Sequence, residues 1–147
     1  MNASQNRPAT ILLVEDNPDH AEMTVRALED GRLVNTVVWV KDGAEALDYL
    51  FRRGPHADAA RPGLILLDVQ LPKVSGHKVL QQIKDDVELQ RIPIVMLTTS
   101  ERPDEIEAAY RAGVNSFVTK PVRFDDFVKQ VQAVKLYWVL TNRLPDA

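Results

Sequence analysis

The chain has 147 residues, no cysteine, and 21 acidic residues against 18 basic ones, for a net charge of −3. That length suits one domain with a core of its own. The lack of cysteine excludes disulfides and thiolate chemistry and fits a reducing cytoplasm, while the acidic balance argues against nucleic-acid binding, which needs basic surface to displace counterions. The opening MNASQNRPAT lacks the apolar run of a secretory signal, and no later run approaches the length of a membrane span. A cytoplasmic protein without membrane contact is therefore expected.

Residues 1–9 are polar and read as a flexible N-terminal segment. Thr10–Val14 is a short continuous apolar run, the pattern of a strand buried on both faces. Glu15-Asp16-Asn17-Pro18 stops it, and Asn17 and Pro18 suit the cap and first turn of a helix. Met23, Ala27 and Leu28 follow at helical spacing until Gly31. Thr36–Val40 is β-branched and aromatic, hence a second strand. Asp42-Gly43 turns it into a helix from Ala44 to about Arg52, and the Gly- and Pro-containing stretch to Pro62 is a loop. Gly63–Leu67 is a third strand ended by Asp68, and a helix follows from His77 to about Asp86. Ile92–Leu97 is the fourth strand, with Pro93 at its beginning because proline cannot donate to a ladder. A helix from Asp104 to about Ala112 ends at Gly113, Ser116–Thr119 is the fifth strand, and the last helix runs from about Asp125 towards Val139. The domain is thus expected over 10–140, with 141–147 as a C-terminal tail. Strands and helices that alternate in this way give a parallel sheet with right-handed crossovers and helices on both faces, an α/β doubly wound sandwich.

The polar residues that interrupt this pattern fall at one kind of place. Glu15 and Asp16 follow the first strand, Asp68 the third, Thr98 the fourth and Lys120 the fifth. Carboxyl ends of parallel strands share one edge of the sheet, and ligands bind there where the strand order reverses. Three carboxylates in one crevice repel, so one is pushed towards protonation unless a cation intervenes. All-oxygen ligands suit Mg²⁺, which leaves coordination positions for phosphoryl oxygens. Lys120 adds a positive charge and Thr98 a hydroxyl donor, as phosphoryl transfer requires. Asp68 can then serve as a carboxylate nucleophile. A lone Asp at a strand end is more often a cap or a solvated charge; five complementary groups at five such positions favour a site.

At these residues the chain resembles the receiver domain of bacterial two-component response regulators. The motifs are Val14-Glu15-Asp16-Asn17, Leu67-Asp68-Val69-Gln70-Leu71-Pro72 with Ser75-Gly76, Leu97-Thr98, and Ala112-Gly113 with Lys120-Pro121. The resemblance implies a flavodoxin-like (βα)5 fold with strand order 2-1-3-4-5. It implies that Asp68 accepts a phosphoryl group from a sensor histidine kinase, and that Asp16, Asp68 and the backbone carbonyl of Gln70 hold Mg²⁺, with Glu15 contributing through water or a hydrogen bond. Lys120 would pair with the phosphoryl oxygens, Thr98 would move inward to them, and Phe117 would act as the gating aromatic that alters the face of the fourth helix, fifth strand and fifth helix. The Lys120-Pro121 bond would be cis. Gln70 and Ser100 stand where receivers tune phosphoryl lifetime, and Thr99 where a larger side chain narrows access. Within the family the chain is similar to response regulators of bacterial and cyanobacterial phytochromes, on Ala46-Leu47-Asp48-Tyr49-Leu50-Phe51, Arg61-Pro62, Tyr137-Trp138 and Leu144-Pro145. Such a protein is a phosphoacceptor switch rather than an enzyme with an external substrate.

Other features are less telling. Phe124, Phe127, Val128, Val131, Val134 and Trp138 form a stripe at helical spacing, most simply core; Leu136, Tyr137, Val139 and Leu140 widen it. The widened arc either tucks under the tail or makes a homodimer contact, and the resemblance favours the dimer. His20, His56 and His77 have no metal-ligand partner at helical spacing, and a surface role is expected for each. A haloacid-dehalogenase-type phosphatase wants Asp-x-Asp on its first strand, and a nucleotide-binding domain a glycine-rich fingerprint after it; neither is present. Too few residues follow the fifth helix for a DNA-binding module, so no output domain is expected.

Overall fold

A computed structural model describes residues 10–29, 36–98, 102–120 and 124–135. Five strands, β1 (Thr10–Val14), β2 (Thr36–Val40), β3 (Leu64–Asp68), β4 (Ile94–Thr98) and β5 (Ser116–Thr119), alternate with five helices. The helices are α1 (Pro18–Glu29), α2 (Gly43–Leu50), α3 (Gly76–Lys84), α4 (Pro103–Arg111) and α5 (Phe124–Lys135). All pairings are parallel and the order is β2-β1-β3-β4-β5. This is the doubly wound sandwich that the alternation predicts, with the flavodoxin-like strand order that the resemblance implies.

The continuous apolar strands are explained by their two faces. Leu12, Val14, Ile65, Leu67, Ile94 and Met96 point into one cluster with Leu47 and Leu50 of α2, Val79, Leu80 and Ile83 of α3, and Ala109 of α4. The alternate residues Ile11, Leu13, Leu64, Leu66, Val95 and Leu97 point into the other, with Ala21, Ala27 and Leu28 of α1. Side chains alternate along each strand, but both faces are covered, so no polar alternation survives. The apolar side chains singled out on α5 lie outside the described set.

Local chemistry sets the helix starts. Asn17 Oδ1 accepts the backbone N–H groups of Asp19 and His20, Asp42 accepts from Glu45, and Ser75 from Lys78. The Gly-Pro loop before β3 holds a short 3₁₀ turn, Gly54–His56. Pro93 sits one residue before β4, and Asp68 is the last residue of β3 rather than the one after it. Gly76 fits tightly behind the acceptor strand: a Cβ there would lie 2.3 Å from the carbonyl oxygen of Asp68. Only glycine permits α3 to start so close to that turn.

Candidate functional site

The sheet register assembles the site. Val14 pairs with Leu67, so Glu15 follows level with Asp68; Thr98 pairs with Thr119, so Lys120 emerges one residue beyond. The switch in strand order falls between β1 and β3, where Glu15, Asp16 and Asp68 stand. Carboxylate oxygens from these three residues lie within 4.8 Å of one another. Glu15, Asp68, Thr98 and Lys120 are the polar residues buried in this region, and Asp16 is exposed at the crevice mouth.

Lys120 organises the buried groups. Its Nζ donates to Glu15 Oε2 at 2.8 Å and Oε1 at 3.0 Å, and to Asp68 Oδ2 at 3.1 Å. Its backbone N–H donates to the Thr98 carbonyl at 2.6 Å, tying the end of β5 to the end of β4. Asp68 is held from the other side as well: the Gln70 backbone N–H donates to Oδ1 at 3.0 Å. One lysine does not neutralise this crevice. Burial pushes the Glu15 carboxyl up to about 8, helped by the hydrogen bond and charge of Asp68 and opposed by Lys120. The protonation expected of three crowded carboxylates thus falls on Glu15. The donor set is all oxygen with surplus negative charge, which fits a hard divalent cation such as Mg²⁺ or Mn²⁺.

The remaining sequence-predicted positions are distributed as follows. Gln70 is exposed beside Asp68, and Phe117, on β5, packs part-buried against the cluster on the α2–α4 side. Thr99, Ser100 and Pro121, with the expected cis bond, lie outside the described residues.

Two residues enter the site that sequence reasoning placed elsewhere. His20 was expected at the surface; its Nδ1 lies 3.4 Å from Lys120 Nζ and 3.4 Å from Glu15 Oε1, with about a third of the side chain exposed at 35%. Burial, then the charge of Lys120, lowers its pKa and favours the neutral ring. The available signal was its place in the first turn of a helix capped directly after the acidic pair. Trp39 of β2 donates its indole N–H to the Glu15 carbonyl at 2.8 Å. Nothing in a strand-like TVVWV run marks that bond in advance.

Comparison with known proteins agrees with this geometry. The family model for the response regulator receiver domain matches residues 11–132. The chain is 45% identical over 138 residues to the probable methanogenesis regulatory protein FilR2 of Methanothrix harundinacea, covering 94% of this chain and 88% of that one. It is 37% identical to the response regulator Rcp1 of Synechocystis over the whole of both chains. A crystal structure of the Mn²⁺-bound form of Rcp1 superposes with a TM-score of 0.92, over 95% of this chain and 100% of that one. That of the phosphorylated cyanobacterial phytochrome response regulator RcpA superposes with a TM-score of 0.93 at 40% identity, over the same shares of the two chains. With its fold, its strand-end acidic crevice and these likenesses in accord, the chain belongs to the response regulator receiver domain family.

Proposed function

We propose that Asp68 accepts a phosphoryl group from a histidine of a sensor kinase and that the resulting acyl phosphate switches a protein-binding face. The observation that carries this is the setting of Asp68: a buried carboxylate with Lys120 at 3.1 Å and with Glu15 and Asp16 oxygens within 4.8 Å. In the transfer, an Asp68 oxygen bonds to phosphorus as the phosphorus–nitrogen bond of phosphohistidine breaks and the imidazole leaves. Glu15, Asp16 and Asp68, with the Gln70 carbonyl, would hold Mg²⁺, which supplies charge neutralisation for the phosphoryl oxygens. Lys120 and the Thr98 hydroxyl bind those oxygens, and Phe117 transmits the change to the face of α4, β5 and α5. Thr99, Gln70 and Ser100 set the lifetime of the phosphoryl group, and a cis Lys120-Pro121 bond aims the lysine.

The likeness to RcpA and Rcp1 supports a phytochrome-type kinase as the donor, and a homodimer through the α4–β5–α5 face as the signalling form. Phosphotransfer from a purified phytochrome kinase tests the first: label should pass to the wild type and not to Asp68→Asn. Transfer only from an unrelated kinase would overturn the phytochrome assignment and leave the receiver chemistry standing. Sedimentation with and without phosphorylation tests the dimer.

A further inference from the structure

The Lys120 ammonium has three protons and no lone pair, so each group it meets must accept. Two side chains meet it with short bonds, Glu15 through both its oxygens at 2.8 and 3.0 Å and Asp68 through one at 3.1 Å. The third is His20, whose Nδ1 stands 3.4 Å away. Four acceptor atoms thus face three protons, and the lysine is fully engaged before any phosphoryl group arrives. A phosphoryl oxygen on Asp68 needs one of those protons, and the contact that yields is the longest, that to His20 at 3.4 Å.

We propose that His20 is a positioning residue that holds the longest of the Lys120 contacts in the resting site and surrenders it to the phosphoryl group. This rests on the reading of Asp68 as phosphoacceptor. The backbone of His20 is fixed: its N–H donates to Asn17 Oδ1 at 3.2 Å and its carbonyl accepts from Thr24 Oγ1 at 2.7 Å. Release therefore proceeds by rotation of the ring and not by a shift of α1. The ring is already one-third exposed, so it turns outward onto the surface beside the crevice mouth. Occupancy of a buried site is thereby displayed at the start of α1.

Two variants separate this role from mere packing. His20→Asn keeps an acceptor near the place of Nδ1, and His20→Leu removes it at similar bulk. Affinity for beryllofluoride, the phosphoryl mimic, is measured with Mg²⁺, and ¹⁵N resonances of the His20 ring are followed in the wild type. The resting ring should show an unprotonated, hydrogen-bonded Nδ1 whose resonance moves when beryllofluoride binds. His20→Leu should bind beryllofluoride about two- to fivefold tighter, as loss of one long, part-exposed competing hydrogen bond implies, and His20→Asn should match the wild type. Equal or weaker binding by His20→Leu, a protonated resting Nδ1, or an unmoved resonance overturns the proposal. A wild type that neither binds beryllofluoride nor takes label from acetyl phosphate overturns the underlying reading as well, which distinguishes the two failures.

Discussion

The indole N–H of Trp39 donates to the carbonyl oxygen of Glu15 at 2.8 Å, so the edge strand fixes the peptide from which the acidic pair springs. A second bond, from the Glu15 N–H to the Val40 carbonyl at 3.1 Å, holds the other side of the same residue. Trp39→Phe keeps most of the packing and removes only the indole donor. We expect Mg²⁺ affinity, read by calorimetry, to fall several-fold, consistent with about 1 kcal/mol for one hydrogen bond, with the melting curve changed less. Unchanged affinity would show that the carbonyl needs no anchor from β2.

Lys120 bridges two buried carboxylates. Lys120→Ala leaves Glu15 and Asp68 facing each other without a cation, and removing one partner of a buried pair costs on the order of 3–5 kcal/mol. Urea unfolding in EDTA should show that loss, and Mg²⁺ should restore part of it because it binds the same carboxylates in the folded state. A variant as stable as the wild type in EDTA would mean that the crevice tolerates its charge without the lysine.

The Glu15 carboxyl is raised from an ordinary 4.5 to about 8 in the fold. Between those values the metal-free folded protein holds a proton that the unfolded chain has lost. Its contribution to stability is therefore full below pH 4.5 and is lost as pH rises through about 8. The part of the stability–pH profile in EDTA that belongs to Glu15 should fall across this window, and Glu15→Gln should flatten it. A profile identical in the two proteins would remove Glu15 as its source.

Gly76 is fixed by its neighbours, since an added Cβ would meet the Asp68 carbonyl oxygen at 2.3 Å and the Val69 Cα at 2.8 Å. Both are backbone atoms and cannot turn aside. Gly76→Ala should destabilise by about 1–3 kcal/mol, the range for overpacking, and should slow phosphorylation because the strain falls on the acceptor's own peptide. Thermal unfolding and labelling by acetyl phosphate measure both; a stable, fully active variant would show that α3 can shift.

Much of this was legible in the residues. The apolar runs of β1, β3 and β4 marked strands covered on both faces, and chain direction then brought Glu15, Asp68, Thr98 and Lys120 to one edge. Side-chain reach was not legible. His20 follows a cap by three residues, which places it beside the acidic pair but does not tell that its ring turns back to the lysine. The Trp39 bond needs the register of β1 against β2, which pairs Leu13 with Trp39 and depends on the whole sheet. Asp68 closes its strand as the last paired residue because its Cα partner is Leu97, a relationship that local pattern does not contain.

Asp68 is the residue on which the switch depends. The protein is incubated with Mg²⁺ and acetyl phosphate, and intact mass is measured beside Asp68→Asn. One phosphoryl group should appear on the wild type, stable in acid and labile in base, and none on the variant. A wild type that gains no mass from acetyl phosphate or from a kinase, or a variant that gains as much, would contradict the account.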